Sequence, residues 1–254
     1  MAPSSTVRIV TATSLFDGHD ASINIMRRIL QANGAEVIHL GHDRSAAAIA
    51  QAAVEEDAHA VAVTSYQGGH MEFFRYLRQL LDEAGANDIK VFGGGGGTIL
   101  PAEGAILSDE GVARIYSPDD GRRLGLEGMI LDLIATAETP KPIPSNLVEA
   151  VLAGDSAAMA RAITIAENDA DAGLSELDAL RNAGRQRIVP VVGFTGTGGA
   201  GKSSIVDELV LRFRRDFPSD KIAIISVDPS RRRSSESDDR DNSLTTGVAK
   251  CIEF

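Results

Sequence analysis

The sequence predicts an α/β protein: a doubly wound parallel sheet, a helical middle, and the opening of a second α/β domain. Three observations carry this. Short apolar runs alternate with amphipathic helical stretches from residue 7 to about residue 137. Pro140, Pro142 and Pro144 then interrupt any helix. Further on, a glycine-rich turn at residues 196–203 lies between an apolar run and a helical pattern.

Taken in order, the strand segments are residues 7–13, 36–40, 60–64, 89–92 and 112–116. The helical segments between and after them are 22–33, 46–56, 71–83, 101–108 and 121–137. Strand–helix alternation of this kind builds a parallel sheet covered on both faces. Five strands with five helices imply a flavodoxin-like, Rossmann-like domain with strand order 2-1-3-4-5. Such sheets bind ligands at the C-terminal ends of their strands. After the proline segment come helical stretches at 146–152, 156–167 and 173–182, with Asp155 or Ser156 as cap of the middle one. These are expected to form a spacer without chemistry of its own. A strand at 188–193, a helix running to about residue 214 and a strand at 221–227 open the second domain. Residues 234–243 contain no apolar side chain and are expected to be disordered.

Composition narrows the function classes. The 254 residues carry 36 acidic and 25 basic side chains, a formal net charge of -11. That disfavours nonspecific binding to nucleic acid or to an anionic membrane. Cys251 is the only cysteine, so neither an internal disulfide nor a cysteine-rich zinc site can form, and a cytoplasmic location is expected. No signal peptide is expected, and the sequence holds no membrane-length apolar run.

Two regions carry chemistry. The first is Asp17-Gly18-His19-Asp20, on the loop between the first strand and the first helix. A histidine two residues after a carboxylate can ligate a metal with one ring nitrogen while the other donates to the Asp. Ser65, at the end of the third strand, and the glycine run 93–97, at the end of the fourth, fall on the same rim. Five glycines cost backbone entropy, which is justified where something large must approach the backbone. By itself, Ser65 reads better as a turn or helix cap. His70 is close enough to this rim to touch a ligand, whereas His39, His42 and His59 read as packed or surface residues. The second region fits G-x-x-x-x-G-K-S: Gly196, Gly198, Gly199, Ala200, Gly201, Lys202 and Ser203, followed by Ser204. Backbone N–H groups of such a loop wrap phosphates, Lys202 reaches the outer ones, and the Ser203 hydroxyl holds magnesium. The glycines also fit a dinucleotide fingerprint, but the Lys-Ser pair favours the phosphate loop. Asp228, after the next strand, is placed either to contact magnesium or to cap the strand end.

The pattern Asp17-x-His19-x-x-Ser22, then Ser65-x-Gln67, then Gly94, Gly95, Gly96 and Gly97 resembles the cobalamin-binding signature D-x-H-x-x-G, S-x-L, G-G. Ser22 stands where the signature has Gly, and Gln67 where it has Leu. The order of parts, with Gly198-Gly199-Ala200-Gly201-Lys202-Ser203-Ser204 and Val227-Asp228-Pro229-Ser230, is similar to the fused isobutyryl-CoA mutase family over about residues 7–233. There a B12 domain, a chaperone-type GTPase and a mutase barrel share one chain.

The resemblance implies adenosylcobalamin bound base-off. His19 would be the lower axial cobalt ligand, Asp17 would back its ring, and Gly18 and Ser22 would belong to the same loop. Ser65 and the backbone of residues 94–97 would line the slot for the displaced nucleotide tail. In the intact family the cofactor starts a radical isomerisation of an acyl-CoA, and the P-loop domain takes GTP and Mg2+. A mutase barrel or a homodimer partner is the implied protein partner.

The implied division is 1–138 for the cobalamin domain, 139–187 for a proline-rich and helical linker, 188–233 for a truncated GTPase domain and 234–254 for a disordered tail. The segment after Arg233 departs from the family and reads as a frameshifted, misjoined or truncated end, so little GTP turnover is expected. Two other readings remain at this point: a P-loop NTP-binding chaperone of a B12 enzyme, and a flavodoxin-like interaction module. A response-regulator role would need a phosphorylatable Asp at the end of the third strand, where Thr64-Ser65 stand instead.

Overall fold

The computed structural model describes residues 6–19, 21–168, 173–186, 188–226 and 250–253. Asp20, Asp228 and residues 234–243 lie outside them. The described chain falls into two units, Met1–Arg187 and Ile188–Phe254.

In the first unit, β1 (Arg8–Thr13), β2 (Glu36–His39), β3 (Ala60–Thr64), β4 (Lys90–Gly94) and β5 (Arg114–Tyr116) form one parallel sheet in the order β2-β1-β3-β4-β5. This is the order expected for a flavodoxin-like domain. The reason lies in the strand sequences. Along β1, Val10 and Ala12 face one apolar cluster and Ile9 the other, so both faces must be covered. Helices α2 (Ala46–Glu55), α3 (His70–Glu83) and α4 (Pro101–Asp109) cover the first face through Ile49, Phe74, Leu77 and Leu107. Helices α1 (Ala21–Ala32) and α5 (Pro118–Ala137) cover the second through Leu30, Ile130 and Leu133. The edge strands β2 and β5 are only half-buried, as one-sided pairing dictates. Helix α5 starts three residues earlier than the sequence suggests. Ser117 caps it through the Asp120 N–H, and Gly125, at φ 68°, puts a kink in it.

The segment expected as a spacer is folded onto the sheet domain. Helices α6 (Leu147–Ala153), α7 (Ser156–Asn168) and α8 (Leu174–Arg185) share a small core of Leu147, Ala158, Ala162, Ile165 and Leu177. Asp155, one of the two residues expected to cap α7, accepts the Ala158 N–H at 2.7 Å. Buried charges then hold the segment in place. Asp57 is paired with Lys141 at 2.9 Å and Arg161 at 3.3 Å. Arg8 donates to the Glu56 carbonyl and to Thr164. Apolar contact and paired charge together make this part of the first unit.

The second unit contains α9 (Lys202–Asp216) and an antiparallel pair of β6 (Ala223–Ser226) with β7 (Lys250–Glu253). Residues 188–193, expected as a strand, take no strand pairing. Ile188 and Val191 are 100% and 91% exposed. A fully apolar strand is stable only between neighbours and under helices, and among the described residues of this unit no parallel sheet exists to accept it. Strand β7 falls within the tail expected to be disordered. That expectation rested on the polar run at 234–243, whereas Cys251-Ile252 suits a strand.

Candidate functional site

Strand register brings the candidate residues together. Thr13 pairs with Thr64, Thr64 with Gly94 and Gly94 with Tyr116, so four strands end at one level. The loops carrying His19, Ser65 and the glycine run leave from that common rim, where doubly wound sheets bind ligands.

Asp17 is the hinge of the site. Its side chain is buried, yet both oxygens are satisfied. Oδ1 accepts the His19 backbone N–H at 2.9 Å and lies 2.7 Å from His19 Nδ1. Oδ2 accepts the Tyr66 backbone N–H at 2.5 Å. Burial alone would raise the Asp17 pKa. The Tyr66 and His19 N–H groups and the His19 ring outweigh it and hold the carboxyl below its usual 3.8. An ionised carboxylate can only accept, so Nδ1 carries the proton and donates. In the neutral ring that leaves Nε2 as the nitrogen with the lone pair, on a side chain that is 78% exposed. The result is an oriented, exposed imidazole held by a buried carboxylate.

Ser65 is fully buried and accepts from the Ser14 hydroxyl at 2.9 Å. Its N–H donates to the Gly94 carbonyl at 2.8 Å. Ser14 was not singled out from the sequence. The available signal was a polar residue following the apolar first strand.

The glycine run has a different local cause from the one expected. A Cβ at Gly93 would meet the Phe74 ring at 2.4 Å, and one at Gly95 the Ser65 carbonyl oxygen at 2.1 Å. Close approach is therefore real, but at these two positions the protein's own groups make it. Gly97 has φ +101°, a conformation that suits glycine.

Tyr66 is the residue of this rim to which sequence reasoning gave no role. Its hydroxyl donates to Ser22 Oγ at 2.8 Å, its ring lies 5.6 Å from the His19 ring, and it rests against Gly96. Gln67 accepts the Gly69 N–H at 2.8 Å and so closes the turn into α3. His70, expected as a possible ligand contact, is buried against protein acceptors. Its Nδ1 lies 3.2 Å from the Gln67 carbonyl and its Nε2 3.0 Å from Glu103, which also accepts the Leu100 N–H. Both ring nitrogens face acceptors of the protein, and a neutral ring donates to one of them, so His70 links the turn before α3 to the start of α4. His42 is exposed, His39 pairs with Thr11, and buried His59 accepts the Arg8 N–H.

In the second unit, Gly199 and Gly201 take positive φ at the start of α9, and Lys202 donates to the Gly196 and Thr197 carbonyls, each at 2.8 Å. Gly198 and Ala200 belong to the exposed loop before that helix, and Ser203 and Ser204 are exposed in its first turn.

Comparison with known proteins decides the family. Residues 7–115 match the family model of the B12 binding domain, and residues 159–238 that of the methylmalonyl-CoA mutase-associated GTPase MeaB. The chain is 54% identical over 91% of its length to fused isobutyryl-CoA mutase of Geobacillus kaustophilus, and 57% identical over 91% to that of Nocardia farcinica. The chain belongs to the fused isobutyryl-CoA mutase family. It spans 22% of the length of each of these two relatives. It is also 30% identical, over 49% of its length, to the 2-hydroxyisobutanoyl-CoA mutase small subunit of Aquincola tertiaricarbonis, 80% of which it covers. The sheet domain is thus the B12-binding part of a family of acyl-CoA isomerases. The MeaB match begins inside α7, within the first structural unit. No helix among the described residues is long and apolar enough to cross a membrane.

Proposed function

We propose that this chain binds cobalamin base-off, with His19 Nε2 as the lower axial cobalt ligand in place of the cofactor's own dimethylbenzimidazole. The observation that carries it is the buried, ionised Asp17 holding an exposed His19 ring by Nδ1, at the C-terminal end of β1. One imidazole is the ligand that a metal already held in a macrocycle requires, and the carboxylate behind it fixes its tautomer. Gly18 and Ser22 belong to the same loop, and Ser65 with the backbone of Gly94, Gly95, Gly96 and Gly97 would line the slot for the nucleotide tail. The Ser14–Ser65 bond fixes the floor of that slot.

When bound, adenosylcobalamin supplies radical chemistry through its Co–C bond. The chain's own residues bind, orient and set the basicity of the axial ligand. The acyl-CoA substrate, isobutyryl-CoA by analogy with the relatives, would be held by a mutase barrel, which is the protein partner we propose, beside a second copy of the chain. For the P-loop we propose GTP, with Mg2+ on Ser203. Asp228 stays a proposal from sequence. The division at residues 138, 187 and 233 is proposed as one of function, the helical segment 139–187 folding with the sheet domain in one unit, and the cytoplasm is the proposed compartment.

The test is titration of the protein with adenosylcobalamin, followed by its visible spectrum. Wild type should give the base-off, His-ligated spectrum, and His19→Ala should lose tight binding. An unchanged spectrum and affinity in His19→Ala would remove the assignment.

A further inference from the structure

Tyr66 touches every part of the cobalamin signature. Its N–H holds Asp17, its hydroxyl holds Ser22, and its ring lies beside His19 and on Gly96. A Cβ at Gly96 would come within 2.4 Å of the ring's Cε1. The ring therefore lies over Gly96, within the glycine run that a nucleotide tail would need. Ser22, one of two departures from the signature, supplies the hydroxyl that accepts from Tyr66; glycine there has none to offer.

We infer that Tyr66 is a latch across the tail slot, held shut by Ser22, which a cobalamin must displace in order to load. This rests on the base-off reading, since only a displaced tail needs the slot. The ring is half-buried and held at its tip by a single hydroxyl bond, so it can swing out without unfolding the sheet. A ligand that binds only the open form loads in proportion to the open fraction. Removing the latch bond raises that fraction by about fivefold, the factor one hydrogen bond is worth.

The test compares Tyr66→Phe, Ser22→Ala and Ser22→Gly, the last restoring the residue of the signature. Rapid mixing follows uptake of adenosylcobalamin and of cobinamide, which lacks the nucleotide tail, where rates rise linearly with concentration. All three variants should take up adenosylcobalamin about fivefold faster, and cobinamide at the wild-type rate. The double variant Ser22→Ala with Tyr66→Phe should be no faster than either single change, because both remove the same bond. Wild-type rates for adenosylcobalamin in all three, or equal acceleration for both probes, would overturn the latch while leaving the His19 assignment intact. If the wild type took up neither probe, the cobalamin reading would fail and the latch with it.

Discussion

At Asp17, one side chain holds three N–H groups on two residues. Replacing it with Asn keeps the shape but removes the charge, and the amide nitrogen cannot accept, so either the Tyr66 N–H or the two His19 donors lose their acceptor. Asp17→Asn should weaken cobalamin binding about 10- to 100-fold, the usual weight of a group behind a metal ligand; titration checks it. Gly95 offers a second test. A Cβ there would strike the Ser65 carbonyl oxygen at 2.1 Å, and backbone cannot give way as a flexible side chain can. Gly95→Ala should cost about 1–3 kcal/mol of stability by overpacking, seen as a lowered melting temperature. At this scale the sequence was only partly legible. Asp17 and His19 announce themselves by spacing. The role of Tyr66 does not, because it depends on contacts with Ser22 and Gly96 that lie far from it in sequence. The glycine run was visible, but its cause, the Phe74 ring and the Ser65 carbonyl, exists only once β3 and β4 are paired.

The elements themselves were the most legible level. Short apolar runs and helical patterning placed all five strands of the first sheet and the helices between them, because burial on both faces leaves few other arrangements. Docking of α7 was not legible, since the charges at Asp57, Lys141 and Arg161 are up to 104 positions apart in sequence. Asp57→Asn tolerates the φ of +46° at that position but removes the charge facing two cations. It should loosen α7 by about 1–3 kcal/mol, read as faster amide hydrogen exchange in that helix. His59 adds a pH dependence. Burial first, then nearby Lys141, hold it below its ordinary 6.5 despite the opposing pull of Asp57; Arg8 and Arg161 add to the lowering. The unfolded chain therefore takes up a proton at a pH where the folded one does not. Stability is at full value above pH 6.5 and falls as pH drops through 6.5 towards the lower folded value. His59→Asn should flatten that part of a melting-temperature curve.

For the whole molecule, the order of a B12-binding domain and a MeaB-type segment follows the fused mutase relatives over 91% of this chain. The strand expected at 188–193 shows the limit of patterning: an apolar run states what should be buried, and only the rest of a sheet can bury it. The central claim remains that His19 is the axial ligand, and electron paramagnetic resonance of bound cob(II)alamin tests it most directly. An axial 14N splits the cobalt lines into triplets. In protein labelled with 15N-histidine, ligation by His19 predicts doublets instead, and their loss in His19→Ala. Triplets persisting in the labelled protein would mean that the cofactor keeps its own base, and would contradict the assignment.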